Sequence, residues 1–349
     1  MGRNFLKIKY GIGAVCFVLL AYTAVLFVRS SFGGFSGIFT HEHSAAAADW
    51  RVLPAGAGGE MLELVGEFVK ISPRDPGTTG AAKASRWLAE TIRGYGVEAH
   101  ADSWVEKTAF GPKVFSNIYA EFPGETANTV LFGSHYDTKA GIGGGFQGAN
   151  DGGSSTAVLL RLIRHFAETK PQLQSTVRFA FFDGEECFGA HYAEDDGLHG
   201  SERMAKEFAR KRLDTPLVAA IILDMVGDKD QHLQIPRNVT PWLAKLAILE
   251  ASSGRSDIPP VTVGDIPIID DHWPFVRRNF SAIDFIDFEY GSAPGRNDYW
   301  HTPEDTADKL SPVSLFRAAN LALAMLSRIE DGKDVPPEVR SSYPVKPEE

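Results

Sequence analysis

Apolar runs rich in β-branched and aromatic residues alternate with segments of helical periodicity along most of this chain. The runs predict buried strands at residues 114–122, 129–134, 177–182, 218–223 and 282–288. Apolar residues recur at helical spacing between and around them, near residues 61–69, 81–95, 153–168, 198–212, 241–252 and 311–326. Strands that alternate with helices predict an α/β fold, a three-layer sandwich in which helices cover both faces of a largely parallel sheet.

The N-terminal segment has a different pattern. Residues 10–28 form a run of 19 residues without a charge, and three basic residues precede it. As a helix this run would be about 28 Å long, close to the hydrocarbon thickness of a bilayer. We predict a basic cytoplasmic N-terminus at 1–9 and a signal-anchor transmembrane helix at 10–28, which places the remainder outside the cytoplasm, in a periplasm, a lumen or the cell exterior. The alternative is a cleaved signal peptide, which would make the protein secreted.

The rest of the chain divides into three parts by composition. Residues 29–49 are rich in Ser, Gly, Ala and His, which predicts a linker. Residues 50–330 have the pattern of a globular protein and contain no internal repeat, which predicts a single domain, the catalytic one. Residues 331–349 are rich in Pro and charge, which predicts a flexible tail.

Composition and charge narrow the class of protein. The chain has 349 residues, 44% of them hydrophobic and 23% charged, which is typical of a globular protein. The formal net charge is −10 and Lys and Arg form no cluster, which argues against a nucleic-acid partner. The two cysteines are Cys16, inside the apolar run, and Cys187, so we expect no disulfide bond in the fold.

Two adjacent carboxylates follow one of the predicted strands. Glu185 and Glu186 come after the run at 177–182, in the sequence Asp-Gly-Glu-Glu. Successive side chains point to opposite sides of an extended chain. One carboxylate can therefore bind a metal while its neighbour faces the group that the metal activates. A solvated acidic turn is the alternative for such a pair taken alone.

Four further polar clusters lie at strand ends or in loops. They contain His135 after the strand at 129–134, Asp151 before the helix at 153, Asp224 after the strand at 218–223, and His301 in a late loop. In an open parallel sheet, ligands bind at the carboxyl ends of the strands. Zinc prefers imidazole nitrogen and carboxylate oxygen, and a dication makes the approach of several carboxylates favourable. The clusters therefore predict a zinc site at this edge.

These clusters also support a family resemblance. The motifs HYDTK, FQGAND, FFDGEE, LDMVGD and WHT occur in this order and resemble the zinc-dependent exopeptidase superfamily over about residues 50–330. That superfamily includes two-zinc aminopeptidases and animal-type glutaminyl cyclases, and the resemblance implies a mixed, mostly parallel sheet of the zinc-exopeptidase type. It also implies that Glu185 is the general acid/base and that three residues bind zinc: Asp151, Glu186 and His301.

The two branches of the superfamily differ in the number of zinc ions. In the aminopeptidase branch, the resemblance implies that His135 and Asp224 complete a second zinc site. In the cyclase branch it implies one zinc, and Asp224 then belongs to the hydrogen-bond network around Glu185. The segment that begins with Asp270, DDHWPFVRR, is similar to the cyclase motif DDHIPFLRR. It implies that Asp270 also steers Glu185. In the cyclase mechanism Trp300 would form an apolar wall of the substrate pocket; the alternative is a half-buried packing residue.

Four departures from the cyclases lie around that pocket. Ser134 stands where the animal cyclases have a cysteine, so their disulfide bond is missing, and Asp284 stands where they have a histidine. Tyr192 matches their pocket tryptophan only loosely, and the loop at 289–299 is longer than theirs. These differences leave the substrate preference of the pocket open.

Three functions follow from the sequence. The first is a glutaminyl-peptide cyclotransferase with one Zn²⁺, which converts the N-terminal Gln of peptides or proteins to pyroglutamate and releases ammonia. The second is a two-zinc aminopeptidase that hydrolyses N-terminal residues. The third is an inactive, membrane-tethered peptide-binding module, for which we would expect metal ligands to be missing, and none is. All three would bind peptide or protein N-termini.

Overall fold

Eight strands form one mixed sheet in the computed structural model, which describes residues 49–211 and 214–340. Their order in the sheet is β1-β2-β4-β3-β5-β8-β6-β7. The four central neighbours β4, β3, β5 and β8 are parallel, and antiparallel pairs adjoin them on both sides. The strands are β1 (His100–Thr108), β2 (Gly111–Phe122), β3 (Thr129–His135), β4 (Thr176–Phe182), β5 (Leu217–Asp224), β6 (Leu233–Ile235), β7 (Val261–Val263) and β8 (Ala282–Ile286).

Eight α-helices accompany the sheet in the same described residues. The predicted helices at 81–95, 153–168 and 241–252 occur within two residues of the expected bounds. Ser311 caps the last long helix, because its hydroxyl accepts hydrogen bonds from the amides of Val313 and Ser314. The helices are α1 (Ala57–Phe68), α2 (Thr79–Gly94), α3 (Gly153–Thr169), α4 (His199–Arg210), α5 (Pro241–Ala251), α6 (Trp273–Val276), α7 (Pro312–Asp331) and α8 (Pro337–Arg340).

The sheet separates two hydrophobic cores, because successive strand residues point to opposite faces. Val130 and Phe132 of β3 pack into the larger core, together with residues of α1, α2, α3, α5 and α7. Leu131, between them, packs into a smaller core with residues of α4 and α6. The predicted three-layer α/β sandwich with a mixed, mostly parallel sheet is therefore confirmed.

Three strands were not predicted from the sequence. β1 pairs with β2 along its whole length, although its residues alternate between partly buried and exposed and include six polar or charged ones. β6 and β7 have three residues each, too few to show a periodicity. All three lie toward the edges of the sheet, where partial exposure permits polar residues.

Several predicted segments lie outside the described residues. They are the basic N-terminus at 1–9, the transmembrane helix at 10–28, the linker except for Asp49, and residues 341–349 of the tail. Of the tail, residues 337–340 form α8 and Val335 is buried. Among the residues that are described, none of the helices has the length and hydropathy required to cross a bilayer.

Candidate active site

The parallel strands bring three of the polar clusters to one edge of the sheet. His135 is the last residue of β3 and Asp224 is the last residue of β5, while Glu185 and Glu186 follow the end of β4. Between β4 and the two glutamates, Gly184 has a φ of 73°, and a Cβ at this position would lie 2.6 Å from the ring of Phe115. This turn therefore requires glycine.

Asp151 reaches the same edge from the loop before α3. Gly152, directly after it, has a φ of 74°, and a Cβ there would lie 2.8 Å from Cε1 of His135. The absence of a side chain at Gly152 thus lets the imidazole of His135 approach the loop that carries Asp151.

Asp151 joins two groups of potential metal ligands. Its Oδ1 lies 3.2 Å from Nε2 of His135, which is also 3.1 Å from Oδ1 of Asp224. Its Oδ2 lies 3.3 Å from Nε2 of His301, which is also 2.7 Å from Oε1 of Glu186. In each group of three residues, the nitrogen and oxygen atoms lie within 4.8 Å of one another. Asp151 is the member that the two groups share.

The charges in these two groups strongly perturb one another. Burial opposes protonation of His301, but its hydrogen bonds to Asp151 and Glu186 raise its pKa to about 10. For His135, burial is likewise outweighed by the charge of Asp224 and by close contacts with the carboxylates of Asp137, Asp151 and Asp224, so the pKa of His135 lies well above its usual value. Burial and the charge of Asp151 raise the pKa of Glu186 to about 7. Positive charge between these carboxylates is therefore stabilising.

The donor atoms fit a zinc ion. Imidazole nitrogen and carboxylate oxygen are ligands that zinc prefers, and a catalytic site provides three of them with a further position open. Asp151 and Glu186 are 2% and 6% exposed, so water compensates little of their mutual repulsion. A bound dication would supply positive charge between the carboxylates, in place of the charge on the two imidazoles. The structure therefore contains a candidate metal site.

Two buried aspartates hold the backbone around these side chains. The carboxylate of Asp137 accepts hydrogen bonds from the amides of Glu185 and Glu186, both at 3.1 Å. The carboxylate of Asp305 accepts one from the amide of Asn150 at 2.8 Å and one from that of Asp151 at 3.2 Å. These two roles were not predicted from the sequence. The only signal was that Asp137 and Asp305 lie two and four residues after the candidate ligands His135 and His301.

Arg74 supports the same loop from the other side. Its guanidinium is fully buried and donates hydrogen bonds to the carbonyl oxygens of Tyr136, Gln147 and Gly148, at 2.7, 2.8 and 3.0 Å. Burial lowers its pKa to about 10, so it remains a cation at neutral pH. Hydrogen bonds from Arg74 and hydrogen bonds to Asp305 therefore both fix the loop that precedes Asp151.

We expect Asp305→Asn to destabilise the protein by about 1–3 kcal/mol and to weaken metal retention. The Asn side chain offers one acceptor and one NH₂ group, and the NH₂ group would face a backbone N–H of Asn150 or Asp151. Denaturant unfolding and zinc loss to a chelator measure the two effects. Tyr290→Phe is the matched control, because it removes only the hydroxyl that donates to Oδ1 of Asp305 at 2.8 Å. Equal zinc retention in Asp305→Asn and the parent protein would contradict a positioning role.

A cavity of about 530 Å³ opens above the two groups of potential ligands. Glu185, Asp224, Asp270 and Trp300 all line it, together with Asp151, Glu186 and His301. The indole of Trp300 stacks on the imidazole of His301, with ring centroids 3.9 Å apart. His135 lies beneath this surface and is 1% exposed. The cavity thus brings together the predicted acid/base, the two predicted steering acids and the predicted pocket wall.

Glu185 lies in a strongly acidic environment. Burial raises the pKa of Glu185 well above its usual value, and the charges of Glu186 and Asp270 act in the same direction, while His135 opposes them. Burial and the charge of Asp224 similarly raise the pKa of Asp270 well above its usual value. A raised pKa is the property that a carboxyl group needs in order to act as a general acid.

A further buried group lies behind Asp270. Ligand atoms of Asp270, His272 and Asp284 lie within 4.8 Å of one another, and all three residues are at most 3% exposed. Burial lowers the pKa of His272 to about 3, which keeps its ring neutral. Burial and the charge of Asp270 raise the pKa of Asp284 well above its usual value. Asp284, one of the departures noted in the sequence, is therefore part of this buried group.

The other departures noted in the sequence also have structural counterparts. Ser134 is buried and its hydroxyl donates to Oγ of Ser155 at 2.7 Å. Cys187 forms no disulfide bond with any described residue; its sulfur instead lies 2.8 Å from the ammonium of Lys139. Tyr192 lines the cavity but is 40% exposed, so it is a rim residue rather than an enclosed one.

The chain is similar to known proteins in both sequence and structure. Residues 117–326, more than half of the chain, match peptidase family M28. The glutaminyl-peptide cyclotransferase of Drosophila melanogaster is 29% identical over 276 residues, which cover 72% of this chain and 75% of that protein. The crystal structure of an Acidobacteriales bacterium glutaminyl cyclase is 28% identical, with a TM-score of 0.71, over 79% of this chain and 95% of that one.

Aminopeptidases share this fold as well. A leucine aminopeptidase precursor from Bacteroides thetaiotaomicron has a TM-score of 0.64 at 21% identity, over 77% of this chain and 96% of that one. The resemblance to the zinc-exopeptidase superfamily and its glutaminyl cyclases is therefore confirmed. Because glutaminyl cyclases and aminopeptidases have the same fold, the fold alone does not distinguish the two activities.

Proposed function

The chain belongs to peptidase family M28, and on that premise we propose that it is a zinc-dependent glutaminyl-peptide cyclotransferase. It would convert the N-terminal Gln of peptides or proteins to pyroglutamate and release ammonia. The observation that carries this proposal is the position of Asp270, which lines the same cavity as Glu185 and raises the pKa of that glutamate. The segment that begins with Asp270 is the part of the sequence most similar to the cyclases, and relatives at 28–29% identity bear the cyclase name.

Three residues are proposed to hold one zinc ion: Asp151, Glu186 and His301. Their ligand atoms lie within 4.8 Å of one another, and the group opens into the cavity. Zinc bound there would supply a Lewis acid for the side-chain amide of the substrate glutamine. Asp151 and Glu186 would keep their charge, and Asp137 and Asp305 would hold their backbones in place.

Glu185 is proposed to move the proton between the two nitrogen atoms of the substrate. In the reaction, the α-amine attacks the side-chain amide carbon, a C–N bond forms, and the bond to the departing nitrogen breaks. Glu185 would take the proton that the amine loses and give it to the leaving amide nitrogen, which departs as ammonia. Asp224 and Asp270 would keep the pKa of Glu185 high enough for the second step. Trp300 would form an apolar wall beside the glutamine side chain.

A two-zinc aminopeptidase is the second candidate, and one observation favours it. His135 and Asp224 form a group with Asp151 whose ligand atoms also lie within 4.8 Å of one another, so a second ion has ligands available. Glu185 would then act as the base for an attacking water. A catalytically inactive peptide-binding module has no comparable support, because every proposed ligand is present at the site.

We expect the purified protein to release ammonia from a Gln-peptide, to leave Leu-amide intact and to contain one zinc per chain. Ammonia detection, amine detection and elemental analysis measure these three properties. The variant His135→Gln separates the two candidates further, because in a one-zinc enzyme it should retain the metal content of the parent protein. Free Leu from Leu-amide, with two zinc ions per chain and one lost in His135→Gln, would establish the aminopeptidase instead.

We also propose that residues 10–28 anchor the protein in a membrane, with residues 1–9 in the cytoplasm, residues 29–49 as linker and residues 50–330 as an extracytoplasmic catalytic domain. The proposal is supported by the 19 uncharged residues that follow a basic segment. If it is correct, the expressed full chain will remain with the membrane pellet after alkaline carbonate extraction. Recovery in the soluble fraction, shortened at its N-terminus, would indicate a cleaved signal peptide.

A further inference from the structure

One side of the active-site cavity has an apolar rim, which consists of Tyr192 and residues 266–269. Ile266 is 66% exposed, Ile269 is 39% exposed and Tyr192 is 40% exposed, whereas Asp151 and Asp270 are 2% and 3% exposed. This gradient of exposure places the acids at the floor and the isoleucines at the mouth. Large apolar side chains that remain exposed together beside a cavity are typical of a binding surface.

Hydrogen bonds fix the backbone of this rim. The side chain of Asn238 donates to the carbonyl oxygen of Ile268 at 2.6 Å and accepts from its amide at 3.0 Å. The amide of Arg237 donates to the carbonyl oxygen of Ile266 at 3.2 Å. The isoleucines are therefore presented on an ordered backbone, so a ligand that covers them would not have to order the loop first.

The charges that line the cavity determine which ligands can cover the rim. Lys139 and two histidines, His191 and His301, line it together with five carboxyl-bearing residues: Asp151, Glu185, Glu186, Asp224 and Asp270. The ammonium of Lys139 already donates to the carbonyl oxygen of Gly189 at 2.8 Å and contacts Cys187. The imidazole of His301 likewise contacts Asp151 and Glu186. The excess of carboxyl groups in the lining therefore favours a free N-terminal amine over an acidic side chain.

We propose that the apolar rim is the subsite for the side chain of the second residue of the substrate, and that it selects an apolar one. This inference rests on the proposed cyclase function. Both reacting groups, the α-amine and the side-chain amide, belong to the N-terminal glutamine, which must therefore lie at the floor beside Glu185. The chain leaves through the mouth, and its second side chain lies against Ile266 and Ile269. A substrate with Phe at this position buries apolar surface that one with Gly cannot.

The test compares kcat/KM for three peptide amides, Gln-Phe-NH₂, Gln-Gly-NH₂ and Gln-Glu-NH₂, with the full chain. We expect the Phe peptide to exceed the Gly peptide by roughly four- to fifteenfold, the effect of burying one or two methylene groups, and the Glu peptide to be poorest. Ile266→Ser and Ile269→Ser should reduce the Phe-to-Gly ratio toward one, mainly by raising KM for the Phe peptide. Val105→Ser is the matched control, because Val105 is 70% exposed and lies on β1, outside the cavity.

A second variant examines the fixed backbone. Asn238→Ala removes both hydrogen bonds to Ile268 and keeps every rim side chain, so we expect it to lower the Phe-to-Gly ratio as well. Equal rates for the Phe and Gly peptides in the parent protein would overturn the subsite, and so would a ratio that is the same in Ile266→Ser, Ile269→Ser and the parent. If no Gln-peptide is cyclised at all, the proposed function fails, and the subsite fails with it.

Discussion

Glu185→Gln is expected to lower kcat for cyclisation by about 10²–10⁴-fold, the usual contribution of a positioned acid/base group. Gln has the size of Glu and can still form hydrogen bonds, but it cannot accept the amine proton or return it to ammonia. The side chain keeps some contact with solvent, and its neutralisation relieves repulsion with Glu186 and Asp270, so folding should be preserved. Ammonia release from a Gln-peptide measures the effect, and zinc content should equal that of the parent protein.

The exposed Glu63→Gln on α1 is a suitable control for this substitution. It makes the same chemical change far along the chain from the proposed catalytic residues and should leave kcat unaltered. Full activity of Glu185→Gln would eliminate the proposed proton transfer under both the cyclase and the aminopeptidase mechanism. Loss of zinc in Glu185→Gln would instead identify this residue as a ligand.

Asp151→Asn is expected to remove most of the bound zinc and, with it, the activity. Loss of a residue that only orients a ligand costs about 10–100-fold in metal affinity, so loss of the central ligand should cost more. Asp151 is the carboxylate shared by both groups of potential ligands, and its neutralisation leaves Glu186 as the only carboxylate beside His301 in its group. Elemental analysis and competition with a chelator measure zinc independently of activity.

The control for this variant is Asp195→Asn, at an exposed position in the segment that follows Glu186. It should retain zinc and activity. Thermal unfolding of the parent protein with and without chelator should show that zinc stabilises the folded chain, and Asp151→Asn should lose that dependence. A variant that kept one tightly bound zinc would contradict the proposed ligand set and would direct attention to the group of Asp270, His272 and Asp284.

Local patterns were sufficient for the central part of the fold. The four parallel strands are buried on both faces, so they appear in the sequence as continuous apolar runs, and each was predicted within about two residues of its observed bounds. β1 could not be predicted in this way, because its polar residues pair with β2 at an edge where water remains accessible. The position of the candidate ligands followed from the strands, since parallel strands end at one edge.

The sequence by itself determined the layered fold and the identity of the residues that could carry the chemistry, because strand ends and short motifs are local features. Only the tertiary structure decided that Asp151 lies between both groups of potential ligands, that Asp305 holds the amide of Asp151, and that Asn238 fixes the apolar rim. Asp305 and Asp151 are 154 residues apart in the chain. Contacts of that kind form only when the layers pack. The packing therefore determines which backbone amides lie close enough to donate to a buried carboxylate.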